Sequence, residues 1–194
     1  MKGNNNITGI ILAGGKSSRM GSEKGLYPFK GKPFIKHILE TMQPLVSEII
    51  IVSNNSDYDS FGFQRVEDYI INAGPLAGLY SGLMASETDH NLVLSCDVPL
   101  ITSEVLERLI DLRDSSFEVI QIESQGETMP LVALYKKQCA TTLGSMLKSG
   151  ERRLRSALKQ LSVINIELEP ELEPFVMNIN TPEQLKEIRH ESDR

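Results

Sequence analysis

Residues 7–24 read ITGIILAGGKSSRMGSEK, an apolar, β-branched run that passes directly into a glycine-rich, cationic loop. The run over residues 7–13 predicts a buried strand, and the paired glycines after it predict a turn. Residues 49–52 and 91–95 form similar apolar runs, and stretches with helical spacing lie between the runs. Strands that alternate with helices are typical of an α/β fold. We therefore predict a doubly wound, mostly parallel sheet with helices on both faces.

The second half of the chain has a less regular pattern. Strand-like segments near residues 117–122 and 131–135 flank a turn at Gln125-Gly126, which predicts that part of the sheet is antiparallel. Residues 176–179 are strand-like, and a helix is predicted from Pro182 with Thr181 as its cap. Since there is no internal repeat or low-complexity linker, we predict a single domain over residues 1–194.

The composition excludes several classes of protein. The formal net charge of −6 argues against nonspecific nucleic-acid binding, which needs a basic face. The apolar runs are too short to span a bilayer, and residues 1–6 are polar, unlike a signal peptide. The two cysteines lie too far apart in sequence for a CxxC motif and form no disulfide framework. We expect a cytoplasmic protein with no nucleic-acid or membrane partner.

The loop after the first strand has the chemistry of a phosphate site. Its glycines allow the backbone to approach a phosphate chain, and Arg19 and Lys24 add positive charge. A P-loop is excluded because that motif needs a glycine at position 10, where this chain has Ile10. The GxGxxG spacing of dinucleotide sites is also absent. A solvated surface loop is the alternative, but a long cationic loop after a buried strand is usually functional.

Asp97 is the candidate metal ligand. It follows the predicted strand at residues 91–95, and ligands in such sheets bind at the carboxyl ends of the strands. Magnesium on nucleotides often takes only one or two protein carboxylates. An Asx turn before Pro99 is the alternative role for this aspartate. Residues 53–55 and 178–180 also follow predicted strands, so we expect these polar segments to converge.

Five segments carry a resemblance to a known family. LAGGKSSRMGSEK at residues 12–24 resembles the signature of nucleotidyltransferases with a Rossmann-like fold. The segments GPLAGLYSGL (74–83), SCDVPL (95–100), GERRLRSAL (150–158) and NINTPEQL (178–185) resemble those of molybdenum cofactor guanylyltransferases. The similarity extends from about residue 7 to 188, and the motifs occur in the family's order.

The resemblance implies that the terminal phosphate of Mo-molybdopterin attacks the α-phosphorus of GTP, with Mg²⁺ as cofactor and pyrophosphate as leaving group. It implies a catalytic set, a GTP site and a pterin side. The implied catalytic residues are Arg19, Lys24 and Asp97, with Asp97 as the metal ligand. The implied GTP-binding residues are Leu12, Ala13, Gly14, Gly15, Gly21, Lys24, Asp68, Asp97 and Asn55 (or its neighbour Asn54). The implied pterin side consists of Arg152, Arg155, Asn178 and Asn180.

The resemblance also bears on the base and on the acceptor. It links Leu-Ala-Gly-Gly to GTP and Leu-Ala-Ala-Gly to cytidylyltransferase relatives that use CTP, and we assign this preference to Gly15, where a missing methyl enlarges the base pocket. A cytidylyltransferase, a sugar-phosphate nucleotidyltransferase and a non-catalytic nucleotide-binding subunit are the alternatives. Transient contacts with molybdenum cofactor insertion proteins and target molybdoenzymes are implied by the resemblance alone. One departure is Met129, where related sequences tend to have a His or Gln.

Overall fold

The computed structural model describes residues 6–14, 23–70, 73–181 and 184. Within them, seven strands form one sheet in the order β5-β4-β1-β6-β8-β7-β9. The strands are β1 (Ile7–Leu12), β4 (Glu48–Val52), β5 (Gln64–Val66), β6 (His90–Ser95), β7 (Val119–Ser124), β8 (Glu127–Lys136) and β9 (Val163–Glu167). A small separate hairpin pairs β2 (Pro28–Phe29) with β3 (Lys32–Pro33).

The sheet is mostly parallel, as predicted. β1 lies parallel to both β4 and β6, and β4 is parallel to β5. β8 runs antiparallel to its neighbours β6 and β7, and β9 returns parallel to β7. The antiparallel pairing falls in the half of the chain where the sequence pattern is mixed, and it confirms that prediction.

Helices cover both faces of the sheet because the side chains of the central strand alternate. Ile7 and Ile11 of β1 belong to the apolar cluster that contains α1 (Phe34–Met42) and α3 (Ser103–Asp111). Ile10 and Leu12 belong to the opposite cluster, with α2 (Pro75–Ala85), α4 (Cys139–Lys148) and α5 (Leu154–Leu158). The α/β prediction with helices on both faces is confirmed. No helix in the described ranges is long and apolar enough to cross a membrane.

Helix α2 lies close to the sheet because two of its residues lack side chains. A Cβ on Gly82 would lie 2.6 Å from Cγ2 of Ile10, and one on Gly78 would lie 3.6 Å from Cδ2 of Leu12. These contacts bring α2 against β1 and β4. Its first turn, which follows Gly74, therefore has a fixed position relative to the carboxyl end of β1.

The predicted strand at residues 176–179 is wrong. Residues Glu173–Val176 form a 3₁₀ helix with Pro174 in its first turn, and the residues after it are irregular. Val176 and Ile179 are buried whereas Met177 is 45% exposed, so burial recurs after three residues instead of two.

The helix predicted from Pro182 lies mostly outside the described residues, but Gln184 N donates to Thr181 Oγ1 over 3.2 Å, as the predicted cap requires.

Candidate active site

Three polar segments meet at the carboxyl edge of the central strands. Leu12 is in register with both Val52 and Ser95, so the residues after these three strands lie side by side. The backbone hydrogen bonds continue one residue further, from Ala13 N to Val52 O and from Cys96 N to Leu12 O, at 2.9 and 3.0 Å. The strand ends thus bring Gly14, residues 53–55 and Asp97 to one edge.

Lys24 and Asp97 form an ion pair at this edge. Lys24 begins a short 3₁₀ helix, Lys24–Leu26, and its Nζ lies 2.9 Å from Asp97 Oδ2. The two side chains are only 15% and 18% exposed. The Lys24 ammonium also donates to Oδ1 of Asn180. The residues that form this group are far apart in sequence, and the fold joins the predicted phosphate loop to the predicted metal ligand.

Asp97 has the chemistry of a magnesium ligand. Its Oδ1 is buried and accepts no hydrogen bond from any described residue, so one carboxylate oxygen is left for a cation. The described residues contain no cluster of three or more His, Cys, Asp or Glu side chains that could hold a metal on their own. A single carboxylate fits a nucleotide-bound magnesium ion, whose other ligands are water and phosphate.

A second polar group lies beside Gly14. Asn54 Oδ1 accepts from Asp68 N, and Asn54 Nδ2 donates to Asp68 Oδ2, at 3.0 and 3.1 Å. Burial raises the pKa of Asp68, and the hydrogen bond from Asn54 opposes that shift. Asn55 instead accepts from Asp57 N and caps the next 3₁₀ helix. Of the two asparagines, Asn54 is the one that pairs with Asp68.

The assignment of the base preference to Gly15 needs a correction. Written in register, Leu-Ala-Gly-Gly and Leu-Ala-Ala-Gly differ at their third residue, which is Gly14. A Cβ on Gly14 would lie 4.0 Å from Asp68 Oδ2, an ordinary van der Waals distance. Position 14 therefore faces the Asn54–Asp68 pair and has room for a methyl group.

A cavity of about 440 Å³ adjoins Asp97. Its walls come from the ends of β6 and β8, the β7–β8 turn, α5 and the 3₁₀ helix near Val176. Arg155 and Asn178 from the predicted pterin side both line it, and Met129 lies in its wall. The Arg155 guanidinium donates to Thr128 O over 3.0 Å, so it is oriented by the backbone of β8.

The other members of the predicted pterin side lie elsewhere. Arg152 donates to the carbonyls of Leu147 and Glu151, at 2.9 and 2.8 Å, next to the end of α4. Asn180 contacts Lys24. Arg153 pairs with Glu151, and this side-chain bond, with two backbone N–H donors, lowers the pKa of Glu151 to about 2. The arginine-rich segment therefore presents only Arg155 to the cavity.

Three predicted site residues, Gly15, Arg19 and Gly21, lie outside the described residues, and their roles stay predictions.

The sequence reasoning missed other residues at the site. Tyr58 is fully buried against Gly25, the residue after Lys24, and Glu173 accepts from the backbone and side chain of Gln125 at the cavity rim. Neither contact has a motif that could have indicated it.

Comparisons with known proteins agree with the fold and show the family. The chain is 37% identical over 185 residues to a probable molybdenum cofactor guanylyltransferase of Flavobacterium johnsoniae, covering 94% of this chain and 96% of that protein. It is 33% identical over 182 residues to the molybdenum cofactor guanylyltransferase of Vibrio parahaemolyticus, covering 92% and 93%.

The solved structure of molybdopterin-guanine dinucleotide biosynthesis protein A from Archaeoglobus fulgidus has the same fold. Its TM-score is 0.81 at 24% identity, and the match covers 96% of this chain and 98% of that one. The family model described as the MobA-like NTP transferase domain matches residues 9–164. The chain therefore belongs to the family of MobA-like nucleotidyltransferases.

Proposed function

We propose that this protein transfers GMP from GTP to Mo-molybdopterin, forming the guanine dinucleotide cofactor and pyrophosphate. The observation that carries the proposal is the double position of Asp97, which bonds Lys24 on one side and lines the 440 Å³ cavity on the other. A transferase needs such a point, where a nucleotide and an acceptor meet. The near-full-length similarity to proteins named guanylyltransferases supports GTP and molybdopterin as the two substrates.

The nucleotide half of the proposed site contains Gly14, the Asn54–Asp68 pair and Lys24. The glycine allows the nucleoside to approach the end of β1, with Leu12 and Ala13 as the adjoining backbone. The Lys24 ammonium offsets the negative charge that develops on the departing pyrophosphate. Its low exposure strengthens this effect, because a partly buried charge is screened less than an exposed one. In this proposal Arg19, Gly15 and Gly21 complete the triphosphate site.

Asp97 is the proposed magnesium ligand through its unpartnered Oδ1. When bound, the ion would polarise phosphate oxygens and make the α-phosphorus more electrophilic. Lys24 occupies the other carboxylate oxygen, and the pair keeps that oxygen directed towards the nucleotide side. The protein does not need to supply a nucleophile, because phosphoryl transfer depends mainly on positioning and charge neutralisation.

The acceptor half of the proposed site is the cavity. Its volume of about 440 Å³ lies in the range that holds small-molecule ligands. Arg155 supplies the cation for the pterin phosphate, and Met129, Val132 and Met177 supply apolar wall for the ring system. The attacking phosphate is already ionised at neutral pH, so the new P–O bond forms without a general base. The bond between the α- and β-phosphates breaks, and pyrophosphate takes the electron pair.

The proposal includes a cellular setting. Cys96 and Cys139 are both buried and unpaired, which suits a reducing compartment such as the cytoplasm. Transient contacts with cofactor-insertion proteins and recipient molybdoenzymes follow from the proposed product, which other proteins have to receive.

The test is incubation of the purified protein with Mg²⁺, Mo-molybdopterin and either GTP, CTP or UTP, followed by mass analysis of the products. We expect the guanine dinucleotide from GTP and little product from the pyrimidine nucleotides. Formation of the cytosine dinucleotide alone, or product with a sugar phosphate as acceptor, would make the guanylyl assignment wrong.

An Asp97→Ala variant separates an enzyme from a nucleotide-binding subunit. An enzyme loses turnover because the metal ligand is gone, and the loss appears as reduced pyrophosphate release from GTP and Mo-molybdopterin. If the wild-type protein binds GTP but neither it nor the variant releases pyrophosphate, the non-catalytic alternative is correct.

A further inference from the structure

The Lys24 ammonium has two described acceptors of different charge. Asp97 Oδ2 is part of a carboxylate, and Asn180 Oδ1 is part of a neutral amide. An ammonium has three N–H donors, so beyond its two acceptors among the described residues one donor is left for a phosphate oxygen. A neutral acceptor orients the ammonium without cancelling its charge, whereas a second carboxylate at position 180 would oppose an anionic substrate.

Asn180 is itself held in place by its own segment. Its backbone N–H donates to Gln184 Oε1 over 2.7 Å, and Gln184 N donates back to Thr181 Oγ1. One residue earlier, Ile179 N donates to Asp97 O over 2.8 Å. The backbone at Asn180 is therefore fixed relative to the turn that carries Asp97.

A small apolar cluster connects this segment to the residues after Lys24. Phe29, Phe34 and Ile179 are almost fully buried together, with Tyr27 packed against them. The two phenylalanine rings meet edge-on, with centroids 6.0 Å apart. Since Phe29 follows the Lys24 turn and Ile179 precedes Asn180, the cluster sets the separation of the lysine and the asparagine.

We propose that Asn180 is a positioning residue for Lys24 on the triphosphate side of the site, and that it does not bind the pterin. This inference rests on the proposed function. It changes the role that the sequence resemblance implies for Asn180 and leaves Asn178, which lines the cavity, on the acceptor side. Asn180 acts by holding the ammonium where it meets the phosphates, together with Asp97 Oδ2, while Asp97 Oδ1 is left for the metal.

The first test measures GTP affinity without any acceptor. We expect Asn180→Ala to raise the Kd for GTP about tenfold, both with Mg²⁺ and with EDTA, since a hydrogen bond to a charged group is lost. Asn180→Asp keeps an acceptor oxygen but adds a negative charge, so its Kd for GTP should also rise. Asn178→Ala is the matched control: the Kd for GTP stays within twofold and the KM for Mo-molybdopterin rises. Thermal melting checks that each variant is folded.

A double-mutant cycle with Lys24→Met shows whether Asn180 acts through Lys24. In the Lys24→Met background, we expect Asn180→Ala to change the Kd for GTP by less than twofold. A tenfold effect that persists in that background, an effect seen only with Mg²⁺, or an unchanged Kd in the single variant each overturns the inference. Absence of GTP binding by the wild-type protein overturns the proposed function as well, so the two failures are distinguishable.

Discussion

Gly25 is the residue at which a single methyl group tests how the Lys24 turn is held. It follows Lys24 in the 3₁₀ helix, and its φ is outside the left-handed region, so the backbone itself accepts an alanine. A Cβ there would lie 2.5 Å from the hydroxyl oxygen of Tyr58 and 3.2 Å from its Cε1 and Cζ atoms. Tyr58 is fully buried, so a shift of its ring disturbs the close-packed interior around it.

We expect Gly25→Ala to lower the free energy of unfolding by about 2 kcal/mol, within the range for overpacked cores, and the Tm by about 4–8 °C. Urea denaturation and thermal melting measure the two quantities. Because the displaced residue adjoins Lys24, the Kd for GTP should rise in the same variant. This second readout links the packing defect to the site.

Tyr58→Phe in the Gly25→Ala background is the rescue variant. It removes the oxygen at 2.5 Å and leaves the 3.2 Å contacts, so at least half of the lost unfolding free energy should return, relative to Tyr58→Phe alone. The reasoning is refuted if Gly25→Ala matches the wild type in stability and in GTP affinity. It is refuted equally if the Tyr58→Phe change restores nothing.

Three further predictions concern packing, charge and thiol reactivity. Gly82→Ala should cost about 1–3 kcal/mol of unfolding free energy, because its Cβ would lie 2.6 Å from Ile10; unchanged urea denaturation would contradict the close packing of α2. The pKa of Glu151 is about 2, below its ordinary value, so its contribution to stability is present above the ordinary pKa and is lost as the pH falls through the folded pKa. The stability difference between the wild type and Glu151→Gln should therefore shrink on going from about pH 7 to about pH 3, and an equal difference at both would count against the ion pair. Burial raises the pKa values of Cys96 and Cys139 to about 12, so a thiol reagent such as DTNB should label neither in the native protein and both after unfolding in guanidinium chloride; rapid native labelling would contradict this burial.

Most of the fold could be predicted because the spacing of apolar residues in each long helix or strand matches the positions that the fold buries. The helical spacing of the apolar residues over 34–42 predicts α1, and the structure buries all five of them: Phe34, Ile35, Ile38, Leu39 and Met42. The strand predicted at residues 176–179 is wrong because a few apolar residues do not distinguish a strand from a 3₁₀ turn. Ile179 is buried with Phe29 and Phe34, whereas Val176 is buried in the cluster that contains α1 and α3, and sequence spacing shows neither contact.

The candidate site could be predicted at the level of the sheet edge but not at that of single side chains. Strand order brings Gly14 and Asp97 together, since both follow strands that pair in parallel register. Beyond the last paired residue the alternation of side chains ends, so the choice between Asn54 and Asn55 depended on local capping. Likewise, the sequence shows three arginines over residues 152–155, but it does not show that Arg155, in the first turn of α5, is the one that lines the cavity.

The most direct test of the central claim uses GTP labelled at its α-phosphorus, Mo-molybdopterin and Mg²⁺, with the wild-type protein and an Asp97→Asn variant. If Asp97 lies where nucleotide and acceptor meet, the wild type transfers the α-label into the pterin dinucleotide and the variant transfers little or none. The account is contradicted if the label stays in GTP with the wild type, or if Asp97→Asn forms the dinucleotide at the wild-type rate.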